Sequence, residues 1–139
     1  MEEPLTEELL AELLSAPDPK TFVEKYKIVG RSLPEYLQAL LDIHGLKRAD
    51  VIREAQLNET YGYQIFMGQR RPTRDKVLAL AFAIGCTLLE AGRLCQAAGV
   101  SSLYAKNRRD AILIFCLDNK CGLQRTNEEL YRFGEETLC

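Results

Sequence analysis

No stretch of this chain is apolar enough to cross a bilayer. A spanning helix needs roughly 20 consecutive apolar residues, and the solid apolar runs Val77 to Ile84 and Ala111 to Leu117 cover only eight and seven. Met1-Glu2-Glu3-Pro4 has neither the positive nor the apolar region of a signal peptide, so a cytoplasmic protein is expected. Five cysteines, Cys86, Cys95, Cys116, Cys121 and Cys139, contain no C-x-x-C pair, which argues against a zinc knuckle and a secreted disulfide framework. They read as free thiols, mostly buried, and no metal or other cofactor is expected. With one histidine, no glycine-rich phosphate loop and no Ser-x-x-Lys, nothing carries an enzymatic mechanism. His44 precedes Gly45 at a helix end, where a cation is favoured. The adjacent acids Glu128-Glu129 and Glu135-Glu136 read as solvated helix faces rather than an acid-base pair.

What is present is an all-α pattern. At 139 residues and 47% hydrophobic content the chain can bury one substantial core. Its net charge of −2 conceals an uneven distribution. Residues 1–27 hold seven acids against three bases, residues 47–76 hold seven bases against four acids, and the tail from Thr126 holds four acids against one base. The central excess permits phosphate contacts, while the acidic remainder weakens nonspecific binding and raises its salt sensitivity.

Helical punctuation recurs along the whole chain. Leu5, Leu9, Leu10, Leu13 and Leu14 repeat at helical spacing up to Ala16-Pro17, and Asp18-Pro19 opens a second short helix through Tyr26. Ser32-Leu33-Pro34-Glu35 and Thr87-Leu88-Leu89-Glu90 are capping boxes, the first opening a helix that carries Tyr36, Leu37, Leu40 and Leu41 to Gly45. Thr73 caps a helix that stops at Gly85, and the next ends near Gly99. Beyond it, Arg108 to Asn119 is expected to be a helix apolar nearly all round, covered by the rest of the domain or by a second subunit. Thr126-Asn127-Glu128-Glu129 reads as a third capping box, opening a last helix with Leu130, Tyr131 and Phe133. Leu41-Asp42 before Gly45-Leu46 is faintly echoed by Leu117-Asp118 before Gly122-Leu123, two similar helix-Gly-helix corners.

The most informative stretch is Gly45 to Pro72, two short helices joined by a tight corner. The first runs from Arg48 to about Ala55 with Ala49, Val51 and Ile52 turned inward; the second starts after Asn58, a good N-cap, and is ended by Arg70-Arg71-Pro72. Lys47-Arg48, the Ala49–Ala55 helix, the Gln56–Asn58 turn, the Glu59–Phe66 helix and Gly68-Gln69-Arg70-Arg71-Pro72 together resemble the Xre family of bacterial and phage repressors, including the lambda-type repressors and Cro. The resemblance covers roughly half of the chain. It implies a lambda-repressor-like five-helix helix-turn-helix core at residues 31–98, between an N-terminal helical extension (1–30) and a C-terminal helical hairpin (99–139) serving packing or dimerisation. Two residues depart from the family pattern. Gln56 stands at the corner where Gly is usual, and Gly62 replaces a core aliphatic whose space Tyr61, Tyr63 or Phe66 is expected to fill.

A recognition helix must turn polar side chains into the major groove, where base edges carry a distinguishable donor and acceptor pattern. With Tyr61 and Ile65 inward, Glu59, Thr60, Tyr63 and Gln64 point outward as candidate base readers: Gln64 for adenine, Glu59 for a cytosine amino group, Thr60 for a thymine methyl. Lys47, Arg48, Tyr61, Arg70 and Arg71 are the candidate phosphate ligands. By resemblance, Arg48, Glu59, Thr60 and Gln64 match family positions that touch DNA. Each is equally readable as an ordinary solvated polar residue. Tyr63, Phe66 and Met67 make the far end of this helix unusually apolar.

Two function classes follow. The first is a sequence-specific regulator of transcription that binds double-stranded DNA as a dimer on a pseudo-palindromic operator, with half-sites about 34 Å apart. The second is a protein-interaction module that keeps the architecture and captures a protein partner, since fold does not fix function.

Overall fold

The computed structural model describes residues 32–139, together with Ala11, Leu14, Ser15 and Asp18. The leucine repeat and the short helix expected before Tyr26 lie largely outside the described residues. The chain divides into two compact units, 1–30 and 31–139. Among the described residues the second unit is entirely helical: α1 (Leu33–His44), α2 (Arg48–Glu54), α3 (Glu59–Phe66), α4 (Arg74–Ile84), α5 (Leu88–Ala98), α6 (Arg108–Asp118) and α7 (Leu123–Arg132). No helix among these residues is long and apolar enough to cross a membrane.

α4 is the centre of the unit. It packs on α1, α2, α5 and α7, and Val77, Leu78, Ala79, Leu80, Ala81 and Phe82 are all buried. Alternating Ala and Leu suit such a helix, because small residues let some neighbours approach closely while large ones fill the gaps between others. The helix apolar nearly all round is therefore α4 rather than α6. α6 is amphipathic: Leu113, Cys116 and Leu117 face the core, while Ala111 is exposed and Phe115 is 65% exposed.

Local signals set most helix starts. Ser32 Oγ accepts from the Glu35 N–H, although the Glu35 carboxylate reaches back to the Ser32 hydroxyl. Thr87 and Glu90 form the complete reciprocal box. Thr73 and Asn58 cap α4 and α3. The third box does not form. α7 begins at Leu123 after Gly122, and Thr126 lies buried inside the helix with its hydroxyl donating to Gly122 O at 2.9 Å. Burial decides this: Leu123, Thr126 and Leu130 make one stripe on the core side, which a helix starting at Asn127 would break. Tyr131 and Phe133 fall off that stripe and are exposed.

All seven helices end alike. In each, an N–H donates to the carbonyl five residues back: Leu46 to Leu41, Leu57 to Ile52, Gln69 to Gln64, Cys86 to Ala81, Val100 to Cys95, Cys121 to Cys116 and Glu135 to Leu130. The residue before each donor is left-handed. Five of these are glycines, and the others are Gln56 (φ 57°) and Lys120 (φ 56°), where a side chain costs about 1 kcal/mol relative to Gly. The echo between the two corners is thus offset: Gly45 corresponds to Lys120, whereas Gly122 is an N-cap with φ −72°.

Two crossed ion pairs tie the C-terminal helices to the centre. Arg74, first residue of α4, grips Asp110 of α6 at 2.8 and 3.0 Å and also donates to the carbonyls of Ser101 and Ser102. Asp75 receives Arg109 at 2.9 and 3.2 Å, and Arg109 continues to the carbonyls of Glu136 and Thr137. Burial pushes the Asp110 carboxyl up, but the Arg74 guanidinium and the Tyr104 N–H outweigh it and hold it below the usual carboxylate range. The same partnership raises Arg74 above its ordinary value. Among the described residues no buried side-chain nitrogen or oxygen lacks a partner.

Candidate nucleic-acid interface

The candidate surface is built on α2 and α3. α2 spans seven residues and buries Val51 and Ile52, with Ala55 just past its end fully buried. Ala49, expected to point inward, is exposed: in the first turn of the helix it lies to one side of the stripe that Val51, Ile52 and Ala55 bury. The corner follows directly. Gln56 takes the left-handed conformation, Leu57 donates to Ile52 O at 3.2 Å, and Asn58 Oδ1 accepts from the Tyr61 N–H at 3.1 Å.

Gly62 determines how closely α3 approaches. It is buried, and a Cβ built there would stand 2.5 Å from Ile52 Cγ2 and 2.9 Å from Ile52 Cγ1. The space is therefore filled by Ile52 of the preceding helix, not by Tyr61, Tyr63 or Phe66. Phe66 is itself buried, contrary to its expected place in the exposed apolar end, because it shares the inward stripe with Gly62 and Ile65. At the far end Gly68 lies against Pro34 of α1, and Pro72 is buried. α3 is thus seated on both α1 and α2, and its remaining face is fixed in direction.

That face carries Glu59, Thr60 and Tyr63, all exposed, with Gln64 partly buried and Met67 43% exposed. Tyr61, expected inward, is only partly buried against the core, and Lys76 Nζ lies 5.4 Å from its ring centroid. Arg48 stacks over the Tyr63 ring at 4.9 Å. Arg70 Nε donates to Gln64 Oε1 at 3.2 Å. Lys47 and Arg71 are exposed and carry no ion pair among the described residues. Glu59 sits in the first turn of α3, where its charge suits the helix dipole.

Of the nine candidate residues, the structure joins four in two contacts that spacing did not reveal, Arg48 with Tyr63 and Arg70 with Gln64, and sets Tyr61 beside Lys76. Protein-family models, curated proteins and solved structures were all compared with this chain, and none matches.

The arrangement offers a polar helix face with both donors and acceptors, bordered by cations that reach solvent. Arg74 belongs to the same basic segment of the sequence but is withdrawn from it by Asp110, 36 residues away. No local signal reveals that withdrawal. Sequence reasoning also missed the clasp at the other end of α1. His44 Nε2 lies 3.0 and 3.1 Å from the Glu90 carboxylate, which also receives the Thr87 N–H. Burial pushes Glu90 up, and the Thr87 and His44 contacts outweigh it and hold the carboxyl below its ordinary value. Among the thiols, Cys86 is pushed up to about 12 by burial, and no group of three or more His, Cys, Asp or Glu gathers as a metal set among the described residues.

Proposed function

We propose that residues 31–98 form a lambda-repressor-like helix-turn-helix core of the Xre type, and that the protein is a cytoplasmic regulator of transcription that binds a specific double-stranded DNA sequence. The observation that carries this reading is the outward face of α3, held rigidly by Gly62 against Ile52 and bordered by Lys47, Arg48, Arg70 and Arg71. Glu59, Thr60, Tyr63 and Gln64 read base edges in the major groove. Lys47, Arg48, Tyr61, Arg70 and Arg71 hold phosphates and set the register. Two copies meet through the C-terminal helices on a pseudo-palindrome with half-sites about 34 Å apart.

The Arg70–Gln64 hydrogen bond refines the roles. By charge alone Arg70 is a pure phosphate ligand, whose loss weakens every sequence alike. Its contact with Gln64 Oε1 also orients the amide, so Arg70→Ala both weakens binding and relaxes specificity at the base that Gln64 reads. Arg71→Ala, with no such contact, weakens all sequences equally.

Selection of the protein on random duplex DNA, followed by salt titration of the enriched pool, tests the reading. The expected result is an inverted repeat whose log affinity falls with log salt by about 0.9 per phosphate neutralised. A second reading has its own support: Tyr63 and Met67 are exposed on the same face, which suits a protein partner. Failure to enrich any motif, with weak binding to all duplexes at low salt, selects the protein-interaction module.

A further inference from the structure

One of these helix ends pairs two cysteines. In this closing motif the side chains of the carbonyl residue and of the N–H residue five positions later meet across the turn, commonly as an apolar pair. The pair is Leu41 and Leu46 at α1, Ile52 and Leu57 at α2, and Cys95 and Val100 at α5. At α6 it is Cys116 and Cys121, whose backbones are joined by a 2.9 Å hydrogen bond with Lys120 left-handed between them. Both thiols are free.

The two sulfurs differ in access. Cys116 is fully buried, and its carbonyl accepts the Cys121 N–H, which brings the two residues together across the turn. Cys121 is half-buried and lines an open groove of about 570 Å³ with Phe115, Lys120, Arg125 and Arg132. That volume admits a small solute such as a peroxide, which reaches Cys121 before it can reach Cys116. Burial raises the Cys116 thiol above its ordinary value and shields it from solvent.

We propose that Cys116 and Cys121 form a redox-active dithiol that hydrogen peroxide converts to a disulfide across the α6–α7 corner. The Cys121 thiolate attacks one peroxide oxygen, the O–O bond breaks, and the departing hydroxide takes up a proton as water. Cys121 is then a sulfenic acid. The Cys116 sulfur attacks the Cys121 sulfur, the S–O bond breaks, and the oxygen leaves as a second water with the Cys116 proton. Two thiols lose two electrons together, and one peroxide becomes two waters. The cross-link locks the last turn of α6 to the start of α7. These helices pack on α5 and α4, so the device acts apart from the α2–α3 face and stands or falls independently of DNA binding.

The test uses the full chain with Cys139→Ser, which removes the exposed competing thiol. The protein is treated with hydrogen peroxide, unfolded in alkylating agent, and cleaved after Lys and Arg. Because Lys120 separates the two cysteines, the disulfide appears as a linked pair of peptides, 110–120 with 121–125, which dithiothreitol separates. Peptides alkylated singly, or Cys121 carried to sulfinic acid without a link, overturn the proposal. So does a link that forms as fast in denaturant as in the native protein. A second variant, Cys116→Ser, is expected to stop at a Cys121 sulfenic acid that dimedone traps. Absence of that adduct in a folded Cys116→Ser protein overturns the order of attack.

Discussion

Two arginine-rich regions of this protein use the same side chain in opposite ways. At the start of α4 and α6, Arg74 and Arg109 each bind one carboxylate in two-toothed fashion and then satisfy two backbone carbonyls. Around α3, Arg48 and Arg70 touch only an aromatic ring and an amide, and Arg71 is exposed and unpaired among the described residues. The first set closes the fold on itself. The second leaves positive charge available to a ligand. Arginine content alone cannot distinguish them, because what matters is whether a carboxylate from a distant part of the chain arrives beside the guanidinium.

The most severe way to break this contrast is to remove a carboxylate from the closed set. Asp110→Ala leaves Arg74 partly buried without its paired carboxylate, and a loss of about 3–5 kcal/mol is expected in denaturant unfolding. The α2–α3 face is then lost only through unfolding, so DNA affinity per folded molecule stays the same. Conversely, Arg71→Ala is expected to change stability by less than about 0.5 kcal/mol while lowering the slope of log affinity against log salt by about 0.9. Equal stability losses from Asp110→Ala and Arg71→Ala would abolish the distinction.

Gly62→Ala is the next largest change expected. Ala gains about 1 kcal/mol of helix propensity over Gly, yet its Cβ would stand 2.5 Å from Ile52 Cγ2. Overpacking of this kind costs about 1–3 kcal/mol, so net destabilisation is predicted, and Ile52→Val in the same chain should recover part of it. If Gly62→Ala stabilises the protein, the close approach of α2 and α3 is wrong.

Acid sharpens the comparison further. Asp110 and Glu90 have folded values below their ordinary ones. Their contributions are present in full above the unfolded carboxyl range of about 4, and drain away as the pH falls through the lower folded values. Urea midpoints measured from pH 6 down to 2 should therefore drop for the native chain and drop less for Asp110→Asn. The smallest effects are expected at the two strained corners. Gln56→Gly and Lys120→Gly each relieve a left-handed side chain, and each should raise stability by up to about 1 kcal/mol.

The local features of this fold were legible residue by residue. Asn58, Thr73 and Thr87 cap the helices they were expected to cap, and Gly45, Gly85 and Gly99 close theirs. Such signals lie within four residues of their partners, which is why a sequence carries them. Thr126 shows where they mislead: its pattern is that of a cap, but the stripe of Leu123 and Leu130 required a helix that starts earlier. The outward positions Glu59, Thr60 and Tyr63 were also readable, because Ile65 fixes the phase of so short a helix. The pairing of Gln64 with Arg70 was not, since it crosses the end of α3 through a left-handed Gly68.

By itself the sequence determined the helical class, most of the helix starts and stops and the outward positions Glu59, Thr60 and Tyr63 of α3, all of which depend on neighbours a few residues apart. Only the tertiary structure decided which helix lies at the centre, which arginines are neutralised, what fills the space at Gly62 and that Cys116 and Cys121 are joined through their backbones at the α6 corner. Most of these depend on side chains separated by 10 to 36 residues, and their contact follows from how whole helices pack; the two cysteines lie closer in sequence, but their pairing depends on a backbone turn at Lys120 that no glycine announces.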